Sequence, residues 1–172
     1  PYLDNRIGCV TLLLAMERLA QQEIENDLYF AFTAQEEVGL RGAGAAAFAV
    51  EPDIAVAVDV TDTGDLPERK TPMAVDMGRG PAVKVMDRSV ICTPEVCAAL
   101  ERAAAACGID VQREILQFGG TDTAALQKTR AGVQAGAVSI PTRYIHSPSE
   151  MCAVSDVEAA ARLLEKFVLQ QK

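Results

Sequence analysis

Hydrophobic and polar positions along the first half of the chain alternate between helical and extended spacing. The apolar residues of segment 8–19 would lie on all sides of a helix, which predicts that this helix is largely buried. The apolar run 28–33 is typical of a central strand. An Ala-rich helix is expected over 42–49, and a second buried strand over 54–60. Such alternation predicts an α/β fold, a three-layer sandwich with helices on both faces of a mixed, largely parallel sheet.

The segment 61–81 interrupts this pattern. It carries Gly or Pro at positions 64, 67, 72 and 78, so we expect an irregular excursion before an extended piece over 82–86. A helix over 94–107 follows, with Thr93 as its cap and Pro94 at the first helical position, where the missing N–H costs nothing. Gly108 stands just past its expected end.

The last third of the chain predicts three more elements. An extended piece over 111–116 leads to the turn 119–122, which opens a short helix reaching Arg130. Segment 136–140 is extended again, and Pro141 is expected to end it. The four residues 155–158 (Ser-Asp-Val-Glu) match a capping box that begins the final amphipathic helix, with Val157, Leu164 and Val168 on one side.

Composition narrows the class of protein. The length of 172 residues, with 49% of them hydrophobic and 23% charged, predicts one globular domain over 1–172. Sixteen basic against twenty-four acidic residues leave a net charge of −8, which would repel nucleic acid. We expect no membrane span, since no apolar run reaches about 18 residues. The five cysteines lack a C-x-x-C pair and favour reduced thiols in the cytoplasm.

The chain contains a single histidine, His146, which limits its acid–base chemistry. Proton transfer near neutral pH must use this imidazole, carboxylates with shifted pKa values, or metal-bound water. A cysteine nucleophile is disfavoured, because it would need a nearby base.

Acidic groups and the histidine occur where predicted elements meet: Asp4, Glu36, Glu37, Asp59 and His146. Each has an ordinary structural explanation, as a helix cap, a solvated loop charge, a turn cap or a hydrogen-bonded loop residue. Strand ends in open α/β sheets converge on a common crevice, however. If these side chains meet there, they form an oxygen-rich site suited to zinc, cobalt or manganese. The positive charge of such an ion would relieve the repulsion between the carboxylates.

Five segments carry a family resemblance: 3–8 (LDNRIG), 34–42 (AQEEVGLRG), 58–61 (VDVT), 119–122 (GGTD) and 143–148 (RYIHSP). In order and spacing they resemble the glutamyl aminopeptidase family of dinuclear metallopeptidases, which contains the tetrahedral aminopeptidases. The resemblance covers nearly the whole chain.

That resemblance implies a role for each candidate residue. Asp4 would bridge two divalent ions, zinc or cobalt with manganese as a third candidate. Glu37 and His146 would complete the shell of one ion, and Asp59 would bind the other. Glu36 would be the general base in the removal of N-terminal residues from peptides.

The resemblance also implies supporting roles and an assembly. Asp122 would shape the substrate pocket or support a metal ligand, although plain helix capping explains it equally well. Tyr144 and Arg143 would position His146. Members of the family form dodecamers, so a homo-oligomer acting on peptides is expected.

Two features of the family lie outside these 172 residues: a second metal-binding histidine in a His-x-Asp motif, and an inserted dimerisation domain. We therefore expect the C-terminal part of a catalytic domain, with one ion site complete and the other lacking an imidazole. Little or no peptidase activity is expected from this chain alone. An open sheet edge would favour self-association.

Two alternatives stay open on the sequence. The paired carboxylates could serve a deacylase or an endoglucanase-type glycoside hydrolase, in the latter as acid and base. The chain could also be a non-catalytic assembly module that keeps the fold alone. Metal dependence separates the peptidase from the glycosidase, and Glu36→Gln separates either enzyme from the module.

Overall fold

The computed structural model of the protein describes residues 2–67 and 72–171. Its helices are α1 (Leu3–Leu19), α2 (Arg41–Val50), α3 (Pro94–Ala106), α4 (Thr123–Gln127) and α5 (Val154–Gln170). Its strands are β1 (Ile54–Thr61), β2 (Ala82–Met86), β3 (Gln112–Ile115), β4 (Gln134–Arg143) and β5 (Met151–Cys152). The segment 61–81 is irregular after Thr61, as predicted, and its residues 68–71 lie outside the described residues.

The strands form one mixed sheet in the order β1-β4-β2-β3, with β5 paired to the end of β4. β1 runs parallel to β4 with Asp59 opposite Ser139, and β2 runs parallel to β3, whereas β2 and β4 are antiparallel. The predicted mixed, largely parallel sheet is thus confirmed. The parallel pairing of β1 and β4 brings the ends of both strands to one edge, next to the loops that carry the candidate residues.

The main hydrophobic core lies between the sheet and helices α1, α3 and α5. β4 contributes Val138 and Ile140, which point to the same face because side chains alternate along a strand. Leu100 and Leu163 pack against them and are fully buried. α4 contacts β1 and β4 but adds no residue to this core among those described, and α2 packs on α4. These two helices form the layer on the other face.

The predicted central strand over 28–33 is wrong. This segment joins no ladder in the described part of the chain, and its Leu28, Tyr29 and Phe32 side chains are 38%, 64% and 50% exposed. Phe30 alone packs against the main core. Apolar character marks a segment that can be buried in a sheet, but a strand also needs a neighbouring backbone to pair with.

Pro141 does not end its strand as predicted. β4 continues to Arg143, and Pro141 stands opposite Thr61 in the parallel ladder with β1. A proline removes one N–H donor but keeps the extended backbone conformation, so a strand can pass through it where that donor is not needed.

One predicted cap is confirmed in position and one is wrong. Thr93 is the N-cap residue of α3, as predicted, although its hydroxyl accepts a hydrogen bond from the Ala135 N–H at 3.0 Å and makes no capping bond to the helix. The last helix begins at Val154, one residue before Ser155, which places the predicted capping box inside the helix. Asp156, the second residue of that box, instead holds the irregular segment before β2. Its carboxylate accepts hydrogen bonds from the Gly78 and Gly80 N–H groups at 2.7 and 3.0 Å.

The remaining predicted elements agree with the structure to within two or three residues at each end, except that α1 begins at Leu3 rather than at residue 8. α4 ends at Gln127 rather than near Arg130, and the short strand β5 was not predicted. All five cysteines are free thiols in the structure. None of the helices within the described ranges is both long enough and apolar enough to cross a bilayer.

Candidate metal centre

Three side chains from distant parts of the chain meet at one point: Asp4, Glu37 and His146. Each offers one ligand atom, and these atoms all lie within 4.8 Å of one another. The His146 Nε2 atom is 2.9 Å from Asp4 Oδ2 and 3.4 Å from Glu37 Oε2. The convergence predicted from the sequence is therefore found.

This donor set fits a divalent ion. Ligand atoms about 2.0–2.2 Å from a tetrahedral ion lie roughly 3.3–3.6 Å from one another. The 3.4 Å separation of His146 and Glu37 falls in this range, and the 2.9 Å separation of His146 and Asp4 would widen by about half an ångström on binding. Two carboxylates and an imidazole suit zinc, cobalt or manganese. The Asp4 side chain is 12% exposed, whereas those of Glu37 and His146 are 57% and 66% exposed, so the cluster opens to solvent on one side.

Asp4 is held by its neighbour Asn5, which sequence reasoning did not single out. The backbone at Asp4 is non-helical, with φ −77° and ψ 108°, and the Asp4–Asn5 peptide bond is cis. The Asn5 Nδ2 group donates to the Val58 carbonyl oxygen at 2.8 Å, and Asn5 Oδ1 accepts from the Gly8 N–H at 3.1 Å. Asn5 thereby ties the start of α1 to the end of β1, where Asp59 lies.

A compact loop before α2 presents Glu36 and Glu37. The Glu36 carbonyl accepts from the Gly39 and Leu40 N–H groups at 3.0 and 2.9 Å. A Cβ atom at Gly42 would lie 2.6 Å from the Ala34 backbone, so only glycine permits this approach. The glycines that follow the two acids therefore serve the turn that presents them.

The segment carrying His146 leaves β4 through strained backbone. Tyr144 and His146 have φ values of 59° and 61°, in the left-handed region that few non-glycine residues adopt. Arg143 is fixed by Asp65, with Nε 3.1 Å from Oδ1 and Nη2 2.6 Å from Oδ2. Tyr144 is 46% exposed. Of the two residues expected to position His146, Arg143 has a clear anchor.

Glu150 also contacts this segment. Its Oε1 accepts from the His146 N–H at 3.1 Å, and its Oε2 accepts from the Leu3 N–H at 2.6 Å. Burial opposes ionisation of this carboxyl, but N–H groups of Leu3, His146 and Asp4 together lower the pKa of Glu150 below its ordinary value. An acid four residues after the only histidine was the available sequence signal.

Asp59 lies beside the three-residue cluster rather than within it. The residue is 7% exposed, and its Oδ1 accepts from the Val60 N–H at 2.8 Å. Burial raises the pKa of Asp59 to about 8, with further contributions from the negative charges of Asp4 and Glu36. A buried carboxylate that feels two others is costly without a cation, which agrees with a second ion position.

Glu36 has the electrostatic setting of a proton acceptor. Burial raises its pKa to about 7, and the charges of Asp122, Glu37 and Asp4 add to this effect. Burial likewise raises the pKa of Asp4 to about 6, with Glu37 as the next cause. Carboxyl groups whose pKa is raised toward 7 are typical of catalytic sites.

Asp122 precedes α4, yet in the described structure its side chain makes no capping bond, so plain helix capping does not explain it. Its Oδ2 accepts from the Thr33 hydroxyl at 2.5 Å. Its Oδ1 is buried without a hydrogen-bond partner among the described residues, and burial raises the pKa of Asp122. Its charge acts on Glu36, which places it at the site.

A buried ionic group near the site was not predicted from the sequence. Lys84 is fully buried, contacts the Glu114 carboxylate, and lies 3.6 Å from Asp87 Oδ2. Thr61 at the end of β1 donates its hydroxyl proton to Glu114 at 2.8 Å. The Lys84 charge lowers the pKa of Asp59, partly offsetting the effect of burial.

Comparison with known proteins identifies relatives of the whole chain. The sequence profile of the M42 glutamyl aminopeptidase family matches residues 1–163. A relative from Acetivibrio thermocellus, provisionally named an aminopeptidase, is 53% identical over 166 residues, which are 96% of this chain and 49% of that protein. The chain spans about half the length of the curated relatives it matches.

Solved structures share the fold. The aminopeptidase APDkam598 from the archaeon Desulfurococcus kamchatkensis superposes with a TM-score of 0.95 at 36% identity, over 100% of this chain and 49% of that one. The TET1 peptidase of Pyrococcus horikoshii, which assembles into a tetrahedron or a large octahedral shell, has a TM-score of 0.87 at 33% identity. That match covers 98% of this chain and 49% of the other.

Proposed function

The chain belongs to the M42 glutamyl aminopeptidase family, and we propose that the protein is a metal-dependent aminopeptidase that removes N-terminal residues from peptides. The observation that carries this proposal is the convergence of Asp4, Glu37 and His146 within 4.8 Å, with Glu36 beside them. Three carboxylates and one imidazole at a single open site match the chemistry of metal-assisted hydrolysis.

The ligands divide between two ion positions. Asp4, Glu37 and His146 would hold one divalent ion, and Asp4 together with Asp59 would hold the second. Zinc and cobalt suit this set, with manganese as a third candidate. When bound, such ions lower the pKa of water and polarise the peptide carbonyl.

Glu36 is the general base. Its carboxylate accepts a proton from the attacking water and, as the acid so formed, returns it to the leaving amine. In the metal-free protein, burial and the negative charges of Asp122, Glu37 and Asp4 raise the pKa of Glu36 to about 7. Beside bound cations this pKa would be lower, and Glu36 would hold the carboxylate form that a base requires.

Asp122 and the carboxylates around it also supply negative charge for the substrate. A peptide N-terminus carries a protonated α-amino group at neutral pH, and an anionic pocket binds it. The free Oδ1 atom of Asp122, buried and without a partner among the described residues, is available for such a contact. Arg143 acts indirectly, since Asp65 engages its guanidinium.

A homo-oligomer is the assembly that the relatives support. The Pyrococcus horikoshii TET1 peptidase, which assembles into a tetrahedron or a large octahedral shell, supports this part of the proposal. Exposed apolar side chains along α1 and the segment 28–33 of this chain, among them Val10, Leu13, Tyr29 and Phe32, are surfaces that association would cover. Light scattering that shows a monodisperse monomer would contradict this part of the proposal.

A chelator experiment tests the function. With zinc or cobalt, the 172 residues are expected to release the chromophore from an aminoacyl p-nitroanilide only weakly, because the second ion position lacks an imidazole among them. Chelation followed by dialysis is expected to abolish this release until metal is restored. Activity that survives chelation on a cellulose oligomer, with no release from the anilide, would favour glycoside hydrolysis instead. Metal binding with a release that is the same in Glu36→Gln as in the parent protein would favour a non-catalytic module.

A further inference from the structure

The carboxylate of Glu150 joins the two segments that carry Asp4 and His146. One oxygen accepts from the Leu3 N–H at 2.6 Å, immediately before Asp4, and the other accepts from the His146 N–H at 3.1 Å. Leu3 and Glu150 are 147 residues apart in sequence. The carboxylate therefore crosses between the start of α1 and the loop after β4 with both of its oxygens occupied.

Both N–H groups need such an acceptor. Leu3 opens α1, where the first N–H groups of a helix have no carbonyl partner within the helix. His146 lies between the end of β4 at Arg143 and the start of β5 at Met151, and its φ of 61° is an uncommon conformation for this residue type. An ionised acceptor makes shorter and stronger hydrogen bonds than a neutral one.

A purely local role for Glu150 would explain only one of its two bonds. The contact to His146 spans four residues and closes a loop, as the Ser147 hydroxyl does for the Ser149 N–H at 3.2 Å. Closing that loop does not require the second oxygen to reach Leu3. The Leu3 contact is what relates the position of Asp4 to that of His146, and Asn5 holds Asp4 to β1 from its other side.

We propose that Glu150 is a positioning residue that fixes the distance between Asp4 and His146 and so preorganises the centre for a divalent ion. This inference rests on the ligand assignment of the proposed function. Glu150 itself is no ligand in this scheme, because both of its oxygens are engaged by backbone N–H groups. Groups that orient metal ligands change metal affinity by about 10–100-fold when they are removed.

The variant Glu150→Gln tests whether the two hydrogen bonds of Glu150 matter, or only the space that its side chain fills. Glutamine has the same length, but its amide presents one oxygen and one NH₂ group, so it can accept only one of the two N–H groups and must direct its own N–H groups toward the other. Glu158→Gln is the matched control, since Glu158 is exposed on α5 and makes the same change of charge. Glu150→Asp keeps the charge but shortens the reach.

Two readouts decide the proposal. Calorimetric titration with Zn²⁺ is expected to show affinity weakened about 10–100-fold in Glu150→Gln, and unchanged within twofold in Glu158→Gln. Because the chain has a single histidine, imidazole NMR signals of the metal-free protein report on His146 alone. These signals are expected to broaden or split in Glu150→Gln and to stay sharp in the control.

Failure has distinct signatures. If Glu150→Gln binds Zn²⁺ as tightly as Glu158→Gln and keeps a single sharp imidazole signal, the positioning role is wrong, even if its melting temperature falls. If neither the parent protein nor the control binds Zn²⁺, the proposed function fails, and the imidazole spectrum of the metal-free variants still decides whether Glu150 orders His146.

Discussion

The side-chain amide of Asn5 donates a hydrogen bond to the Val58 carbonyl oxygen at 2.8 Å. Each of these residues stands next to a candidate metal ligand, Asn5 after Asp4 and Val58 before Asp59. One hydrogen bond therefore joins the start of α1 to the end of β1 at the place where two carboxylates must face each other. The contact therefore helps to fix Asp4 and Asp59 relative to each other, and with them the two ion positions that we propose.

Replacing Asn5 with Ala is expected to lower both stability and metal affinity. The variant loses the bond to Val58 and the bond from the Gly8 N–H, both partly buried, which should cost about 1–3 kcal/mol in the free energy of unfolding. Urea denaturation and Zn²⁺ calorimetry measure the two effects. Asn26→Ala, which removes an exposed bond to Gln171, is the control and should change neither quantity appreciably. Equal behaviour of the two variants would refute the role of Asn5.

Glu36→Gln is expected to abolish turnover without removing metal. Glutamine cannot take a proton from water, so kcat should fall by about 10²–10⁴-fold while the metal content and KM stay close to those of the parent protein. Elemental analysis and anilide hydrolysis provide the measurements. Glu23→Gln, an exposed change of the same type, should leave kcat unaltered. A metal-loaded Glu36→Gln variant with full kcat would exclude Glu36 as the base.

The metal-free protein is expected to lose stability as the pH rises from about 4 to 8. Burial raises the folded-state pKa of Asp4 to about 6, that of Glu36 to about 7 and that of Asp59 to about 8, so across this range the folded state binds more protons than the unfolded state. The stabilising protons leave as the pH passes each folded value. Thermal unfolding at a series of pH values measures the slope.

Asp59→Asn isolates the largest of these three effects. The amide oxygen can still accept from the Val60 N–H, but the residue no longer titrates, so the decline between pH 6 and 8 should become shallower and keep only the part due to Glu36. Added Zn²⁺ should reverse the decline in the parent protein and do so less in the variant. A parent protein whose metal-free stability is constant from pH 6 to 8 would contradict the raised pKa of Asp59.

The ion pair between Arg143 and Asp65 is expected to matter more than an exposed pair. Its two hydrogen bonds are partly buried, and the side chains are 29% and 20% exposed, so Arg143→Ala should lower the free energy of unfolding more than the loss of an exposed pair does. Arg79→Ala breaks a single contact of an Arg side chain that is 73% exposed, and should cost less than about 1 kcal/mol. Chemical denaturation of both variants tests the difference, and equal losses would contradict it.

The contribution of Asp65 to the free energy of unfolding is expected to disappear at low pH. Hydrogen bonds from Arg143 lower the pKa of Asp65 to about 2, so its stabilising effect is present above the ordinary value near 4 and is lost as the pH falls toward 2. The stability difference between the parent protein and Asp65→Asn should therefore shrink over that interval. A difference that is constant from pH 5 to 2 would show that the ion pair does not set it.

Much of the fold was predictable, because the spacing of apolar residues reflects burial and the positions of Gly and Pro reflect where the backbone can turn. The apolar run ending at Asp59 became β1, and Pro94 with Gly108 marked the limits of α3 closely. The failures concern partners that local sequence does not encode. Segment 28–33 is apolar but unpaired in the described structure, and Ser155 has the composition of a cap at a position already inside α5.

The candidate site shows the same division. Residue types and a family resemblance predicted Asp4, Glu37 and His146, and the structure brings them together. Asn5 and Glu150 escaped prediction. The spacing of Glu150 from His146 was a signal for their local contact, but residue type and spacing do not reveal the contacts of Asn5 with Val58 and of Glu150 with Leu3, which are distant in sequence. Positioning residues of this kind become visible only with coordinates.

The most direct test of the central claim is an anomalous-difference map from crystals of the protein grown with Zn²⁺. We predict a peak about 2.0–2.2 Å from His146 Nε2 and from carboxylate oxygens of Asp4 and Glu37. A map with no peak there, in which His146 Nε2 stays hydrogen-bonded to Asp4 and zinc binds elsewhere, would contradict the assignment of this cluster as a metal centre.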